Sequence, residues 1–297
     1  MPPRNRRLRA VAVTGSALVL AVAGYAAYTG FGHGGPPPPA PGCQAGTGAA
    51  AISLDTGQAG IAATIAGVAA RQRLPRRAVT IAYAAALQES QMQNLAYGDL
   101  DSVGVFQQRP SQGWGTASEL RDPVYASTRF FDALVQVHGY TKMPVDQAAQ
   151  DVQHSADGTA YQQWAPLAAA LSGYFTGAPP HDMSCWYTPP ARADLAAATR
   201  QLTQTFGPQG QAGVVIRITT DRSDKNQNGS VAVVHARQDA AWTVVGWLVA
   251  HAQDYGISDV RYAGYEWNAA DGSMGWRRAG PAQGQPLGQA LGSIVAG

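Results

Sequence analysis

The hydrophobic and polar positions divide the chain into three stretches of different character. Ala10 to Phe31 is a run of 22 residues without a charged side chain, long enough to cross about 30 Å of hydrocarbon as a helix. From Leu54 to about Gly177, apolar residues recur at helical spacing and no segment alternates as a strand does. After Cys185, short alternating segments predict strands between helices. The pattern therefore predicts an α+β protein in which a mostly α-helical part is followed by a small, separate α+β domain.

The N-terminal run has the features of a membrane anchor. Four arginines precede it and no lysine or arginine follows it closely, which places the N-terminus inside the cell and the body of the chain outside. A cleaved signal peptide is the alternative, and it also places the body outside the cytoplasm. Residues 1–31 are thus expected to form a cytoplasmic tip and a transmembrane anchor. Residues 32–42 contain four consecutive prolines and are expected to form a stiff, extended spacer.

The helical part contains one segment that is apolar on nearly every side. It follows Pro75 and runs from Val79 to Leu87, which predicts a helix buried in the core. Residues 95–116 are rich in glycine and aspartate and are predicted to be a loop. Further helices are predicted over residues 124–138, 145–154 and 160–173.

The last third of the chain predicts the small α+β domain over residues 191–280, with a flexible tail at 281–297. One helix is expected to end at Gly207 and another at Gly256, because glycine is typical just beyond a helix C-terminus. A hairpin is expected around Asp271 and Gly272. Strands are predicted over residues 213–220, 230–236 and 257–264. No catalytic motif is evident in this domain, and its role is left open.

Composition narrows the classes of function. Charged residues make up 13 % of the chain against a typical quarter, and the formal net charge is +2. Because four of the positive charges belong to the N-terminal arginines, the remainder is slightly acidic. The body therefore lacks the basic surface of a nucleic-acid-binding protein.

The two cysteines, Cys43 and Cys185, bracket the helical part. They fit no metal-ligand spacing, and no cofactor motif is present elsewhere. In an extracytoplasmic protein they are free to form a disulfide, and two unrelated thiols are the alternative.

The candidate chemistry centres on Glu89, which closes the apolar helix. A carboxylate there is poorly solvated and holds its proton more tightly, as a general acid must near neutral pH. Asp99 and Asp101 lie in the following glycine-flanked loop and are candidates for a second carboxylate across a cleft. The alternatives are a surface cap for Glu89, and turn formation or Ca²⁺ binding for the aspartates.

The order of residues around Glu89 resembles a known signature. Glu89-Ser90 followed by Gly104-Val105-Phe106-Gln107 is similar to the E-S…G-L-M-Q pattern of lytic transglycosylases and goose-type lysozymes. The longer run also resembles lysozyme-like domains of actinobacterial exported proteins; it continues through Gly98-Asp99-x-Asp101-Ser102, Gln107-Gln108-Arg109-Pro110 and Gly113-Trp114-Gly115. The resemblance covers residues 43–185 and implies a mostly α-helical lysozyme-like fold with a glycan cleft.

The resemblance also implies roles for particular residues. Glu89 matches the acid/base of the family, Ser90 the residue that supports it, and Gln107 the glutamine of a cleft-lining turn. Further substrate-binding candidates are Gln108, Trp114 and Tyr161, and further candidate sugar-stacking rings are Tyr97 and Trp164. The A-Y-N-x-G element of the family is missing, since residues 148–155 read AAQDVQHS. Gln150 or Gln153 is expected to replace its asparagine and Tyr161 its ring.

Three functions follow as expectations. The first is a membrane-anchored enzyme, a lytic transglycosylase or muramidase, that cleaves the MurNAc–GlcNAc bond of peptidoglycan glycan strands without a metal or cofactor. The second is a non-catalytic module that binds cell-wall glycan. The third is a component of wall-spanning export or conjugation machinery. The expected partners are glycan strands, the membrane and such machinery.

Overall fold

The structure is a computed structural model that describes residues 39–153, 158–189, 193–208, 215–220, 230–279 and 293–296. The predicted anchor and most of the spacer lie outside these ranges. Within them, no helix combines the length and apolarity that a membrane span requires. From Pro41 onward, the described residues form one compact unit of mixed α and β structure.

A three-stranded antiparallel sheet joins the two ends of the helical part. Strand β1 (Gly42–Ala45) lies between β2 (Ile52–Leu54) and β3 (Met183–Trp186). In this sheet Cys43 lies directly opposite Cys185, and the two sulfurs are bonded at 2.04 Å. The predicted disulfide is confirmed.

The predicted buried helix is also confirmed. Helix α1 (Thr56–Arg71) begins with a capping box in which the Asp55 carboxylate accepts a hydrogen bond from the Gln58 backbone N–H. Helix α2 (Arg76–Ser90) begins after Pro75, is buried continuously from Ala78 to Leu87, and ends where Gln91 adopts the left-handed conformation. The apolar middle of α2 therefore lies in the core, and its C-terminal end reaches the surface.

The remaining helices of this part follow the prediction closely. Helix α3 (Ala117–Leu120) is a single turn, and α4 (Pro123–Leu134) ends four residues before the predicted boundary at 138. Helix α5 (Val145–Gln153) agrees with the predicted 145–154. The segment predicted as a helix over 160–173 is a 3₁₀ helix (Gly158–Trp164) that continues into α6 (Ala165–Phe175).

In its described residues, the C-terminal third adds three helices and a six-stranded sheet. The helices are α7 (Leu195–Phe206), α8 (Ala241–Ala250) and α9 (Ala252–Tyr255). The strands are β4 (Val215–Thr220), β5 (Ser230–His235), β6 (Asp259–Tyr262), β7 (Tyr265–Asn268), β8 (Arg277–Arg278) and β9 (Ser293–Ala296), in the order β4-β5-β9-β6-β7-β8. The pairing of β7 with β8 forms the hairpin expected around Asp271 and Gly272.

Two features differ from the expected separate domain with a flexible tail. Strand β9 lies within the segment expected to be a tail and pairs with both β5 and β6. Helix α8 packs on α1, where Thr64 and the His251 ring nitrogen Nε2 are 3.1 Å apart. Because α8 is buried along almost its whole length, it needs apolar neighbours on more than one side. The C-terminal third therefore shares a hydrophobic core with the helical part.

Candidate functional site

Glu89 is the penultimate residue of α2 and its carboxyl group is partly buried. Burial raises the pKa of Glu89, since the charged form is poorly solvated there. Hydrogen bonds from Tyr161 and Gln153 act in the opposite direction but do not cancel the effect of burial. The site thus contains a carboxylic acid whose proton is held more firmly than in water.

Tyr161 holds the Glu89 side chain in place. The tyrosine hydroxyl donates a hydrogen bond of 2.6 Å to the Glu89 Oε1 atom. Tyr161 lies in the 3₁₀ helix before α6, and only 1 % of its surface is exposed. A ring so buried positions Glu89 but does not fit the expected role of contacting substrate directly.

Gln153, the last residue of α5, connects Glu89 with the turn opposite. Its Nε2 atom donates a hydrogen bond of 2.7 Å to the Phe106 carbonyl oxygen, and its side chain also reaches the Glu89 carboxylate. Of the two glutamines expected to replace the missing asparagine, Gln153 is therefore the one that contacts Glu89 among the described residues.

Ser90 connects the end of α2 to the same turn by a hydrogen bond. It is buried, its hydroxyl lies 2.7 Å from the Val105 carbonyl oxygen, and it accepts a hydrogen bond of 3.2 Å from the Gln93 backbone N–H. The side chain is fully used by the protein itself, so Ser90 supports Glu89 and does not bind substrate.

The turn from Gly104 to Gln107 depends on glycine at its first position. Gly104 has φ +78°, and a Cβ atom there would lie 2.1 Å from the Leu120 carbonyl oxygen. The side chain of Gln107 donates from Nε2 to the Gly104 carbonyl oxygen at 3.1 Å.

Gln108 is buried, and its side-chain amide group has no hydrogen-bond partner in the described part of the chain. With 3 % exposure, Gln108 does not fit the expected role of contacting substrate directly.

The two aspartates have different environments. Asp101 accepts hydrogen bonds from Arg109 Nε at 2.9 Å and from the Ser111 backbone N–H at 2.7 Å. With Arg109 as the largest cause, these contacts lower the pKa of Asp101 to about 2. Asp99 is exposed, and neither aspartate contributes to the pKa of Glu89. Asp101 is thus an ionised group that stabilises the loop.

Three aromatic rings were candidates for contact with sugars. Tyr97 is 75 % exposed and lies in the loop whose backbone is held by Gln107. Trp164 donates from its indole nitrogen to Gln88 Oε1 at 2.8 Å, and Trp114 packs against the core with its carbonyl oxygen bonded to Arg129. Tyr97 is therefore the most accessible of the three rings.

Two residues of the site had no role assigned from the sequence. Gln88 accepts the Trp164 hydrogen bond, and Arg109 is the counter-charge of Asp101. Arg109 is the only basic residue between positions 95 and 116, which is the signal that would have paired it with Asp101. The part of the chain that the structure describes contains no cluster of three potential metal ligands.

The chain was also compared with known proteins. Neither a scan against models of protein families nor a search of curated proteins finds a match. The chemistry of the Glu89 site is therefore argued from its own geometry.

Proposed function

We propose that this protein cleaves peptidoglycan glycan strands, with Glu89 as the acid that protonates the oxygen between N-acetylmuramic acid and N-acetylglucosamine. The observation that carries the proposal is the arrangement at the end of α2. There a carboxyl group with a raised pKa is held by the Tyr161 hydroxyl and linked through Gln153 to the Gly104–Gln107 turn. General acids in glycoside cleavage need this kind of environment.

The proposed reaction begins when Glu89 gives its proton to the glycosidic oxygen. The bond from that oxygen to the anomeric carbon of N-acetylmuramic acid breaks, which leaves an oxocarbenium-like centre. In a lytic transglycosylase the 6-hydroxyl of the same sugar attacks this centre and returns its proton to the Glu89 carboxylate. The product is a 1,6-anhydro end. In a muramidase, water attacks instead and leaves a reducing end.

The state of the aspartates favours the transglycosylase. Water attack is normally assisted by a second, free carboxylate close to the acid. Asp101 is committed to Arg109 and Ser111, and neither Asp99 nor Asp101 is among the groups that shift the pKa of Glu89. An intramolecular 6-hydroxyl needs no such assistant, because it is already held beside the reacting carbon.

The location proposed for this activity is outside the cytoplasm, on a single membrane anchor formed by residues 1–31. The Cys43–Cys185 disulfide supports the extracytoplasmic side, since such bonds persist in oxidising compartments. The anchor rests on the sequence pattern of residues outside the described ranges.

The test is to incubate the detergent-solubilised full chain with purified sacculi and to identify the released fragments by mass. The proposal predicts fragments with 1,6-anhydro ends, and Asp101→Asn should release the same kind of fragment as the unaltered protein. Reducing ends would assign a muramidase. Binding without any released fragment would show a glycan-binding module and refute the enzymatic proposal.

A further inference from the structure

Gln88, the residue before Glu89 on α2, has a side-chain amide whose orientation is determined by its neighbours. Its Oε1 atom accepts a hydrogen bond of 2.8 Å from the Trp164 indole N–H and a second of 3.3 Å from Gln163 Nε2. An indole N–H can donate but cannot accept, so the atom that faces Trp164 must be the oxygen of the amide and not its nitrogen. The Gln88 Nε2 group is therefore held at the end of the amide that does not face Trp164.

The Nε2 group of Gln88 is a hydrogen-bond donor that the protein itself does not use. No residue in the described part of the chain accepts a hydrogen bond from it. The buried, unpaired side-chain atoms of the described residues do not include it, so solvent reaches this group. A donor bound only to water adds nothing to the stability of the fold, because it is hydrated equally well in the unfolded chain. Its fixed direction instead suits an acceptor on a ligand.

One short helix holds both Gln88 and Glu89. Trp164, which orients Gln88, and Tyr161, whose hydroxyl donates to Glu89 Oε1 at 2.6 Å, belong to the same 3₁₀ helix (Gly158–Trp164). Residues three apart in a 3₁₀ helix lie on the same side of it, about 6 Å apart along its axis. The two side chains therefore meet one side of the same element, and a substrate whose reacting oxygen reaches Glu89 passes close to the Gln88 amide.

A glycan of the proposed substrate class offers a matching acceptor. Each of its sugars carries an acetamido group on C2, whose carbonyl oxygen accepts hydrogen bonds as a peptide carbonyl does. In the sugar whose anomeric bond breaks, this oxygen is four bonds from the anomeric carbon. Bond lengths of about 1.2–1.5 Å give it a reach of up to about 5 Å from that carbon. Removal of the acetyl group leaves an ammonium group, which has donors but no acceptor for the Gln88 N–H groups.

We propose that Gln88 donates a hydrogen bond from Nε2 to the acetamido carbonyl oxygen of the sugar bound beside Glu89, and that it thereby selects N-acetylated over de-N-acetylated glycan. The choice of glycan as the ligand rests on the proposed function. Gln88 contacts the substrate away from the bond that breaks, so it determines specificity and does not act as a second acid. One neutral hydrogen bond supports a preference of about tenfold in kcat/KM.

The experiment measures fragment release by the full chain in detergent from two preparations of purified sacculi, one fully N-acetylated and one chemically de-N-acetylated. The parent should favour the first by about tenfold, and re-acetylation of the second should restore its rate. Gln88→Met keeps the length of the side chain but has no donor, so the preference should disappear. Gln88→Glu keeps the acceptor for Trp164 and attracts an ammonium group, so the preference should reverse. Gln136→Met, a change at an exposed glutamine beyond α4, is the matched control and should keep the parent preference.

The ratio of the two rates separates specificity from a merely structural role. Both preparations are cleaved by the same Glu89, so a general loss of activity or folding cancels in the ratio. An equal loss on both preparations in the Gln88 variants, with the parent preference kept, would overturn the assignment.

A second measurement does not depend on cleavage. Proteins that also carry Glu89→Gln are tested for binding to the same two preparations, and Gln88→Met should abolish the preference there as well. If the parent releases no fragments but this binding preference is lost, the proposed reaction fails and the Gln88 assignment stands. If fragments are released while Gln88→Met leaves the preference unchanged, the reaction stands and the Gln88 assignment fails.

Discussion

Removal of the Cys43–Cys185 disulfide by the double change Cys43→Ala and Cys185→Ala should lower the free energy of unfolding substantially. The two cysteines are 142 residues apart, so the bond closes a long loop in the unfolded chain. The chain-entropy relation gives about 5 kcal/mol for such a loop, at the top of the roughly 2–5 kcal/mol usual for native disulfides. For a protein of this size each kcal/mol shifts Tm by about 2–4 °C, so the expected fall is roughly 10–20 °C.

The assay is differential scanning calorimetry of the non-reduced protein and of the double variant. Both cysteines are almost fully buried, so reductant must be added during a cycle of unfolding and refolding. Reduced parent protein should then melt near the temperature of the variant, and reductant should leave the variant unchanged. A difference in Tm of less than about 2 °C between parent and variant would refute the reasoning, because it would show that closing this loop in the unfolded chain does not stabilise the folded protein.

Three further changes probe the site. Gly104→Ala places a methyl group against the Leu120 carbonyl oxygen at a positive φ. It should destabilise the protein by about 3 kcal/mol in urea unfolding and reduce cleavage. Unchanged stability would contradict the requirement for glycine at this position of the turn. Tyr161→Phe removes the hydrogen bond that favours the Glu89 carboxylate, so the pKa of Glu89 should rise further and the alkaline limb of the pH profile of kcat/KM should move to higher pH; a shift to lower pH would count against the contact. Asp101→Asn should destabilise the protein at neutral pH. Because the pKa of Asp101 is depressed in the folded protein, its carboxylate stabilises the fold above about pH 4, and this stabilisation is lost as the pH falls through about 2. A stability difference between parent and variant that grows in acid would have the wrong sign.

The sequence predicted the helix that carries Glu89 well because the signal was local and strong. The apolar run that follows Pro75 leaves no polar face for solvent, so the pattern predicted a buried helix. Glu89 lies at the end of this helix that reaches the surface. The disulfide was predictable for a different reason. With two cysteines in a body expected outside the cytoplasm, only one pairing was available.

The first sheet could not be predicted, because its strands are three or four residues long and its pairing is remote in sequence. Gly42 pairs with Trp186, and no residue pattern within β1 indicates a partner strand that far along the chain. The docking of α8 on α1 was missed for a related reason. The apolar length of α8 showed that it would be buried, but hydrophobic patterning does not specify which surface covers a helix.

The arrangement around Glu89 was predictable only in part. The pattern suggested Tyr161 and either Gln150 or Gln153 as replacements for a missing element, but the choice between the glutamines depended on how α5 ends relative to Phe106. Whether Asp101 is free to serve as a second carboxylate depended on its contact with Arg109 across the loop, and sequence spacing alone does not establish that contact. Local chemistry was therefore visible in the sequence, while the pairing of side chains required the fold.

The most direct measurement of the central claim compares Glu89→Gln with the unaltered protein on purified sacculi, with released fragments quantified by mass spectrometry. Glutamine keeps the shape of the side chain but cannot donate the proton, so the rate should fall by at least about 100-fold. Since burial penalises the Glu89 carboxylate, the variant should have an equal or higher Tm at neutral pH, and this gain should disappear in acid as Glu89 becomes protonated. Glu266→Gln, a change in an exposed ion pair with Arg277, is the matched control and should retain activity. Undiminished release of fragments by Glu89→Gln would contradict the account.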